Sequence, residues 1–424
     1  MRHSGYLCAL SLLLAKKAGA SDEEEAARQR SLYYKKWRTN PKMVVFGDSN
    51  ADSGRRFNAP ASFDFEGIGP FPWTRLFDAP DSDSKSRVYL PSPGSATNGK
   101  VWPDWLRIPQ EYNFATSSGS ITETFRSQED CLGYTGEGED FPTATLDEQI
   151  TRYIYEVLDH TDETLDYTHV ILLGGNDLTR VGEVIQRYTI AATLFPDGSY
   201  VDPVPAEAVF DDNGEPTFAP LIAEILSTWA AAVDKLITRG VTGKILIGNI
   251  PSFKGVPVVI ASGQAELLDA VALATNAAAQ PMFEANPQLL ELDMYSLSAA
   301  IADNPELFTD EGFSTRDGLS LGFPCLDFDF AIDSTAEIMG TQALRAAGCQ
   351  ETCGLCADSS SPCSTCFEGN PSATICDDPD SSIFWDIVHF TTRVHELLGE
   401  AIRQCSKDAP NYERAWVGVL CPSE

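Results

Sequence analysis

The sequence predicts an α/β fold in which a parallel sheet is covered by helices on both faces. Short apolar runs, such as Val44-Val45-Phe46 and Val170-Ile171-Leu172-Leu173, recur between longer stretches with helical spacing of apolar residues. Within these runs polar and apolar residues do not alternate, so each strand must be buried on both faces. A chain of 424 residues, 43% of them hydrophobic, can also fill a sizeable core.

Residues 1–20 read as a secretory signal: a weakly basic start (Arg2, His3), a short apolar stretch and the small residues Ala18-Gly19-Ala20. Lys16 and Lys17, after the apolar stretch, are atypical of such a signal. The mature chain is therefore expected to be secreted, with no transmembrane segment. Residues 21–41 form a polar leader. Residues 42–46, between Pro41 and Gly47, predict a buried strand. Residues 55–100 are rich in Pro, Ser, Asp and aromatics without a period, and predict a long surface excursion. A helix starts near Val101, with Pro103 in its first turn and Trp102 and Trp105 in the core. Residues 112–115 predict a second strand, running into a small-residue loop at 116–120.

Leu146, Ile150, Tyr153, Ile154 and Val157 share a helical face, which predicts a helix over 146–158. Residues 169–173 predict a third strand, followed by Gly174-Gly175-Asn176-Asp177. A helix over 220–239 ends at Gly240. A strand at 244–248, a helix over 266–283, a strand at 289–294 and a last helix over 391–403 complete a sheet of about five strands. Residues 404–424 form a tail.

A net charge of −32 excludes nucleic acid and anionic membrane surfaces as electrostatic partners. Of eleven cysteines, Cys8 lies in the signal, which leaves an even number and suggests disulfides. Seven fall between Cys325 and Cys376, and the segment at about 329–376 interrupts the α/β rhythm as an insertion. Its two Cys-x2-Cys pairs also have the spacing of tetrahedral zinc ligands. In a secreted chain disulfides are the expected chemistry. The insertion precedes Asp386 and is expected to border the substrate cleft. Pocket shape is expected to come from the loops at 55–100 and 195–220.

The chemistry-bearing residues lie at strand ends and near the last helix. Ser49 follows the first strand, and a serine hydroxyl needs an adjacent base to act as a nucleophile. Asp386 and His389 are three apart and can supply that base and the carboxylate that orients it. Asn176 and the backbone N–H groups of Ser49 and Gly119 are candidate oxyanion donors. Asp177 reads as a helix N-cap or turn residue. His395 reads as a packing or surface histidine, and His160 and His169 as structural.

These blocks resemble the GDSL/SGNH hydrolases, in particular the longer plant-type lipase/esterase branch. Phe46-Gly47-Asp48-Ser49 with Asp52-Ser53-Gly54 resembles the opening block, and the segment from Asn98 to Leu106 resembles the one that follows. Asn113-Phe114-Ala115 with Gly119 is similar to the glycine block, and Gly174-Gly175-Asn176-Asp177 to the asparagine block. Asn249-Ile250-Pro251 and Asn304-Pro305 are similar to lesser landmarks, and Phe384-Trp385-Asp386 with His389 to the final block. The blocks occur in order over most of residues 42–403. Asn50 stands where the family has Leu, Phe390 where it has Pro, and Thr116-Ser117-Ser118 where more glycine is common, so Ser118 is an alternative oxyanion donor to Gly119. The resemblance implies a three-layer α/β/α, flavodoxin-like fold. It implies hydrolysis of a small-molecule or lipid carboxylic ester through an acyl-Ser49 intermediate, without a metal or organic cofactor. Acyl transfer, glycan O-deacetylation and a catalytically silent binding protein are the alternatives.

Overall fold

A computed structural model describes residues 41–53, 97, 99–116, 119–125, 144–196, 202, 204–261, 263–303, 326–327, 374–375, 382–384, 388–407 and 419–421. The chain divides into two units, Met1–Pro41 and Lys42–Glu424, and the fold below belongs to the second. The expected signal, the leader, most of the 55–100 excursion and the interior of the Cys-rich insertion lie outside the described residues.

Four strands, β1 (Met43–Gly47), β2 (Thr168–Leu172), β3 (Ile245–Gly248) and β4 (Leu289–Leu292), form one sheet in that order. Every pair is parallel, with Val45 opposite Val170, Val170 opposite Leu246 and Leu246 opposite Leu290. The strand predicted at 112–115 is reduced to a single parallel bridge, Asn113 to Val45. There the Phe114 N–H donates to the Val45 carbonyl at 2.7 Å and the Thr116 N–H to the Gly47 carbonyl at 3.0 Å. The Asn113 amide turns away to donate to the Ala51 carbonyl (2.8 Å) and Ser53 Oγ (3.0 Å). Because this segment follows β1 in the chain but lies on its other edge from β2, the winding reverses between β1 and β2. In open α/β sheets that reversal opens a crevice at the carboxyl ends of the strands.

Eight helices are described: α1 (Trp102–Leu106), α2 (Leu146–Tyr153), α3 (Gly175–Leu194), α4 (Ala219–Thr238), α5 (Pro257–Ala261), α6 (Ala265–Ala285), α7 (Met294–Asp303) and α8 (Thr392–Cys405). Val44, Phe46, Ile171, Ile245 and Ile247 share one core with Ile150 of α2, Trp229 of α4 and Val271 of α6. The alternate residues Val45, Val170 and Leu246 are equally buried on the other face. Leu172 and Gly248 continue that second face and line a cavity with residues of α7 and α8. Helices on both faces are compatible with three layers.

Local chemistry accounts for the ends. A capping box between Thr145 and Glu148 starts α2. The helix expected over 146–158 is α-helical to Tyr153 and then widens to a π-turn, Ile154–Leu158. Gly240, at φ 92°, stops α4 as its position predicts. Helices α3, α5 and α7 have no counterpart among the sequence expectations. A glycine-rich start hid α3, although Leu178, Val181 and Val184 repeat at helical spacing and are buried.

The loop after α3 is tied back by a carboxylate–guanidinium pair. Arg187 Nε and Nη2 donate to Asp202 Oδ2 and Oδ1 at 2.5 and 2.9 Å, and the Asp202 side chain is fully buried. Arg187→Ala leaves that carboxylate buried without its cation and is expected to cost about 3–5 kcal/mol in urea unfolding. A loss below about 1 kcal/mol would show that the pair is solvated in practice.

The short antiparallel pair β5 (Leu326–Asp327) and β6 (Thr374–Ile375) brings the two ends of the Cys-rich segment together. Cys405, the last residue of α8, is disulfide-bonded to Cys421 in the tail. Among the described residues no helix is long and apolar enough to cross a membrane.

Candidate active site

Just past β1 the chain folds into a tight turn. The Asp48 carbonyl accepts the N–H groups of Ala51 and Asp52, both at 3.0 Å. Asp48 Oδ1 accepts from the Asn50 N–H (2.9 Å) and Nδ2 (3.2 Å). Ser49 is left on the outside of this turn. Gly47 is needed for it, because a Cβ there would lie 2.7 Å from the Ala51 Cβ. Burial pushes the Asp48 carboxyl up, while its bonds to Asn50 and the nearby His389 pull it down.

Past β2, Gly174 adopts φ 124° and turns the chain into α3, so that Asn176 is the helix's second residue. Asn176 Nδ2 donates to the Gly119 carbonyl at 2.8 Å. As placed, the Gly119 N–H is committed to the Thr116 carbonyl at 2.8 Å. Gly119 therefore acts on Asn176 through its carbonyl. The donors left at the site are the second Asn176 N–H and the Ser49 N–H, for which the described residues offer no hydrogen-bond acceptor. Ser118 lies outside the described residues.

Asp177 caps neither its own helix nor a turn, contrary to the sequence reading, since the N-cap is Gly174. Its carboxylate accepts from the Ile121 N–H (2.9 Å), the Thr122 N–H (2.8 Å) and Thr122 Oγ1 (2.7 Å). It thus ties the loop bearing Gly119 to the helix bearing Asn176. Burial pushes it up to about 6, against the pull of those three bonds.

His389 is held on a pinched loop. Phe384 and Phe390 form an antiparallel bridge, and the Thr391 N–H donates to the Ile383 carbonyl at 2.9 Å. The far side is anchored by Thr392 Oγ1 to the Lys100 carbonyl (2.9 Å) and by Trp105 Nε1 to the Thr392 carbonyl (3.1 Å). Trp105 is thereby half-buried and structural, whereas Trp102 is fully buried and lines the cavity. This loop sets His389 Nε2 at 2.9 Å from Ser49 Oγ, across 340 residues of chain. Asp386 lies outside the described residues. His395 is a buried packing residue of α8, edge-on to Phe390, and among the described residues its Nδ1 has no hydrogen-bond partner.

Ser49 opens on a cavity that crosses the carboxyl ends of β1 to β4. Its walls are mostly apolar, including Leu172, Phe253, Met294, Leu297, Val388 and Leu397. None of the described residues of 195–220 lines it, so the expected contribution of that loop is not found; residues 55–96 lie outside the described residues. The described walls come from the strand ends, the loop after β3, the loop bearing His389, α7 and α8, because the sheet edge is where the reversal leaves space.

Two residues missed in the sequence belong to this assembly. Asp48 enters the sequence reading only as a neighbour of Ser49 in the opening block. Gln149 carries no sequence assignment, although it sits on the apolar face of α2 between Leu146 and Ile150. A long polar side chain on an otherwise apolar helix face was the available signal. Among the described residues no group of three or more His, Cys, Asp or Glu side chains is placed to hold a metal ion. No family model matches the chain, and no curated protein sequence matches it significantly.

Proposed function

We propose that the protein is a secreted serine ester hydrolase with a flavodoxin-like α/β/α fold, acting on carboxylic esters that carry an apolar acyl chain. The carrying observation is the 2.9 Å approach of Ser49 Oγ and His389 Nε2 at the mouth of an apolar cavity. The ordered GDSL-like blocks support the same reading, and the Cys405–Cys421 disulfide supports an oxidising compartment.

The Ser49 hydroxyl donates to His389 Nε2, which requires the tautomer with its proton on Nδ1. As Ser49 Oγ bonds to the ester carbonyl carbon, His389 takes the hydroxyl proton. The carbonyl oxygen becomes an oxyanion facing the Ser49 N–H and the second Asn176 N–H, each such donor supplying about 3–4 kcal/mol. His389 then protonates the departing alkoxide, leaving acyl-Ser49. Water, deprotonated by the same imidazole, bonds to the acyl carbon; the bond to Ser49 Oγ breaks, the imidazolium returns the proton to Oγ, and the acid leaves. Asp386 is assigned to hold the His389 Nδ1–H and to stabilise the imidazolium. The acyl chain lies in the cavity, where apolar burial contributes about 0.8 kcal/mol per methylene.

A panel of aryl esters of graded acyl length tests the assignment. kcat/KM is expected to climb from acetyl to medium-length chains by about threefold or more per methylene until the cavity is full. An acetyl-only profile would overturn the acyl-cavity assignment and favour glycan O-deacetylation.

A further inference from the structure

Helix α2 presents Leu146, Gln149, Ile150 and Tyr153 to the interior, and Gln149 is fully buried there. Its carboxamide pairs in both directions with one residue. Oε1 accepts from the Gly47 N–H at 2.9 Å, and Nε2 donates to the Gly47 carbonyl at 3.0 Å. The second Nε2 proton goes to the Ala144 carbonyl at 3.1 Å. Both amide protons are used, and the side chain mimics one residue of a neighbouring strand.

The residue so gripped is the last of β1, two before Ser49. Its carbonyl also receives the Thr116 N–H, so the amide and the 116–119 loop meet at one point. A Cβ on Gly119 would lie 2.9 Å from the Gly47 carbonyl and 3.0 Å from Gln149 Nε2. The loop therefore rests directly on this pair. Through its own carbonyl, Gly119 fixes the Asn176 amide. One side chain thus sets the root of the nucleophile turn and the seat of the loop that aims an oxyanion donor.

We propose that Gln149 is a positioning residue for Ser49 and for the Asn176 amide, an inference that rests on the hydrolase reading above. It touches neither substrate nor the reacting atoms. It holds the strand end from which Ser49 projects, at a place where β1 has lost a regular partner on its outer edge. A displacement of about 1 Å at a reacting centre costs about 100-fold in rate. A buried amide with only a structural role would lower stability and leave turnover per folded molecule unchanged.

The test compares wild type, Gln149→Met and Gln149→Glu for turnover of a short aryl ester, with active sites counted by a fluorophosphonate probe. Gln149→Met keeps the length and apolar volume but removes both bonds to Gly47. It is expected to lower kcat per labelled site by about 10–100-fold, with KM within about twofold. Gln149→Glu keeps the acceptor for the Gly47 N–H and can donate to the Gly47 carbonyl only when protonated. Its kcat relative to wild type is therefore expected to recover as pH is lowered through the carboxyl titration. Unchanged kcat per site in folded Gln149→Met overturns the proposal. If that variant does not fold, a Gln149→Glu ratio that stays flat with pH overturns it instead. A wild-type protein that neither labels nor turns over sinks the hydrolase reading itself; a wild type that does both while the variants match it sinks only the role of Gln149.

Discussion

Ser49→Ala is expected to lower kcat for ester hydrolysis by about 10⁵–10⁶-fold while the protein stays folded. Without Oγ there is no atom to form the acyl intermediate, and His389 has no hydroxyl to deprotonate. The backbone N–H of residue 49 and the Asn176 side-chain amide would remain as donors and leave a small residual rate. Stability should change little, because Ser49 is half-buried on the outside of its turn and the substitution removes one hydrogen bond, worth about 1 kcal/mol. His389→Ala should cost nearly as much, and the double variant no more than either single one, since the residues act as a unit. Fluorophosphonate labelling, turnover and a thermal melt measure the three quantities. Turnover by Ser49→Ala within about tenfold of wild type, in a clean preparation, would end the nucleophile assignment. Labelling that persists in the variant would move it to another serine.

Two histidines buried in neutral form are expected to lower the stability of the fold as pH falls from about 6.5 toward 5. Burial pulls His169 down to about 4, against a bond to the Tyr167 carbonyl. Its Nδ1 lies 2.9 Å from that carbonyl and its Nε2 2.9 Å from the Tyr153 hydroxyl, so both nitrogens are already used. Burial, helped by the charge of His389, pulls His395 down to about 3. Both values lie below the unfolded value of about 6.5. The unfolded chain then binds protons that the folded chain refuses, and stability falls as pH drops through the window. Asp177 works the other way: raised to about 6, it binds its proton in the fold first and favours the fold at lower pH. Asp48 and Asp104, also raised by burial, have the same sign. Near pH 6 the two imidazoles take up more protons in the unfolded chain than Asp177 does in the fold, and at lower pH the three carboxyls offset part of the loss.

A variant isolates one contribution. His395→Leu removes a proton that only the unfolded state takes up. Its unfolding free energy should fall less steeply than wild type between pH 6 and 4, by about 1.4 kcal/mol per pH unit. Urea melts at several pH values give both slopes. Parallel slopes would mean that His395 titrates normally in the folded protein.

The strands were legible because each is a short apolar run flanked by Gly or Pro, and all four fall within a residue or two of their expected places. The segment at 112–115 has the same pattern and predicts a strand. Only the fold could show that Asn113 spends its side chain on the turn after Ser49, so that pairing stops at one bridge. Helix α3 was hidden because Gly174-Gly175-Asn176-Asp177 has the composition of a turn, and the conformation at Gly174 is visible only once the strand before it is fixed. Among the described residues the cavity walls expected from the 195–220 loop come instead from the loop after β3, the His389 loop, α7 and α8, because a lining depends on which elements meet at the sheet edge.

By itself the sequence determined the α/β class, the strands, most of the long helices and the residue types able to activate a serine. These follow from local periodicity and from motifs, each readable within a window of some twenty residues. The tertiary structure alone decided that residues 340 apart meet, that Gly119 works through its carbonyl, and that Asp177 and Gln149 brace the loops around Ser49. Such contacts arise where separate elements converge, and no local pattern encodes the distance between them.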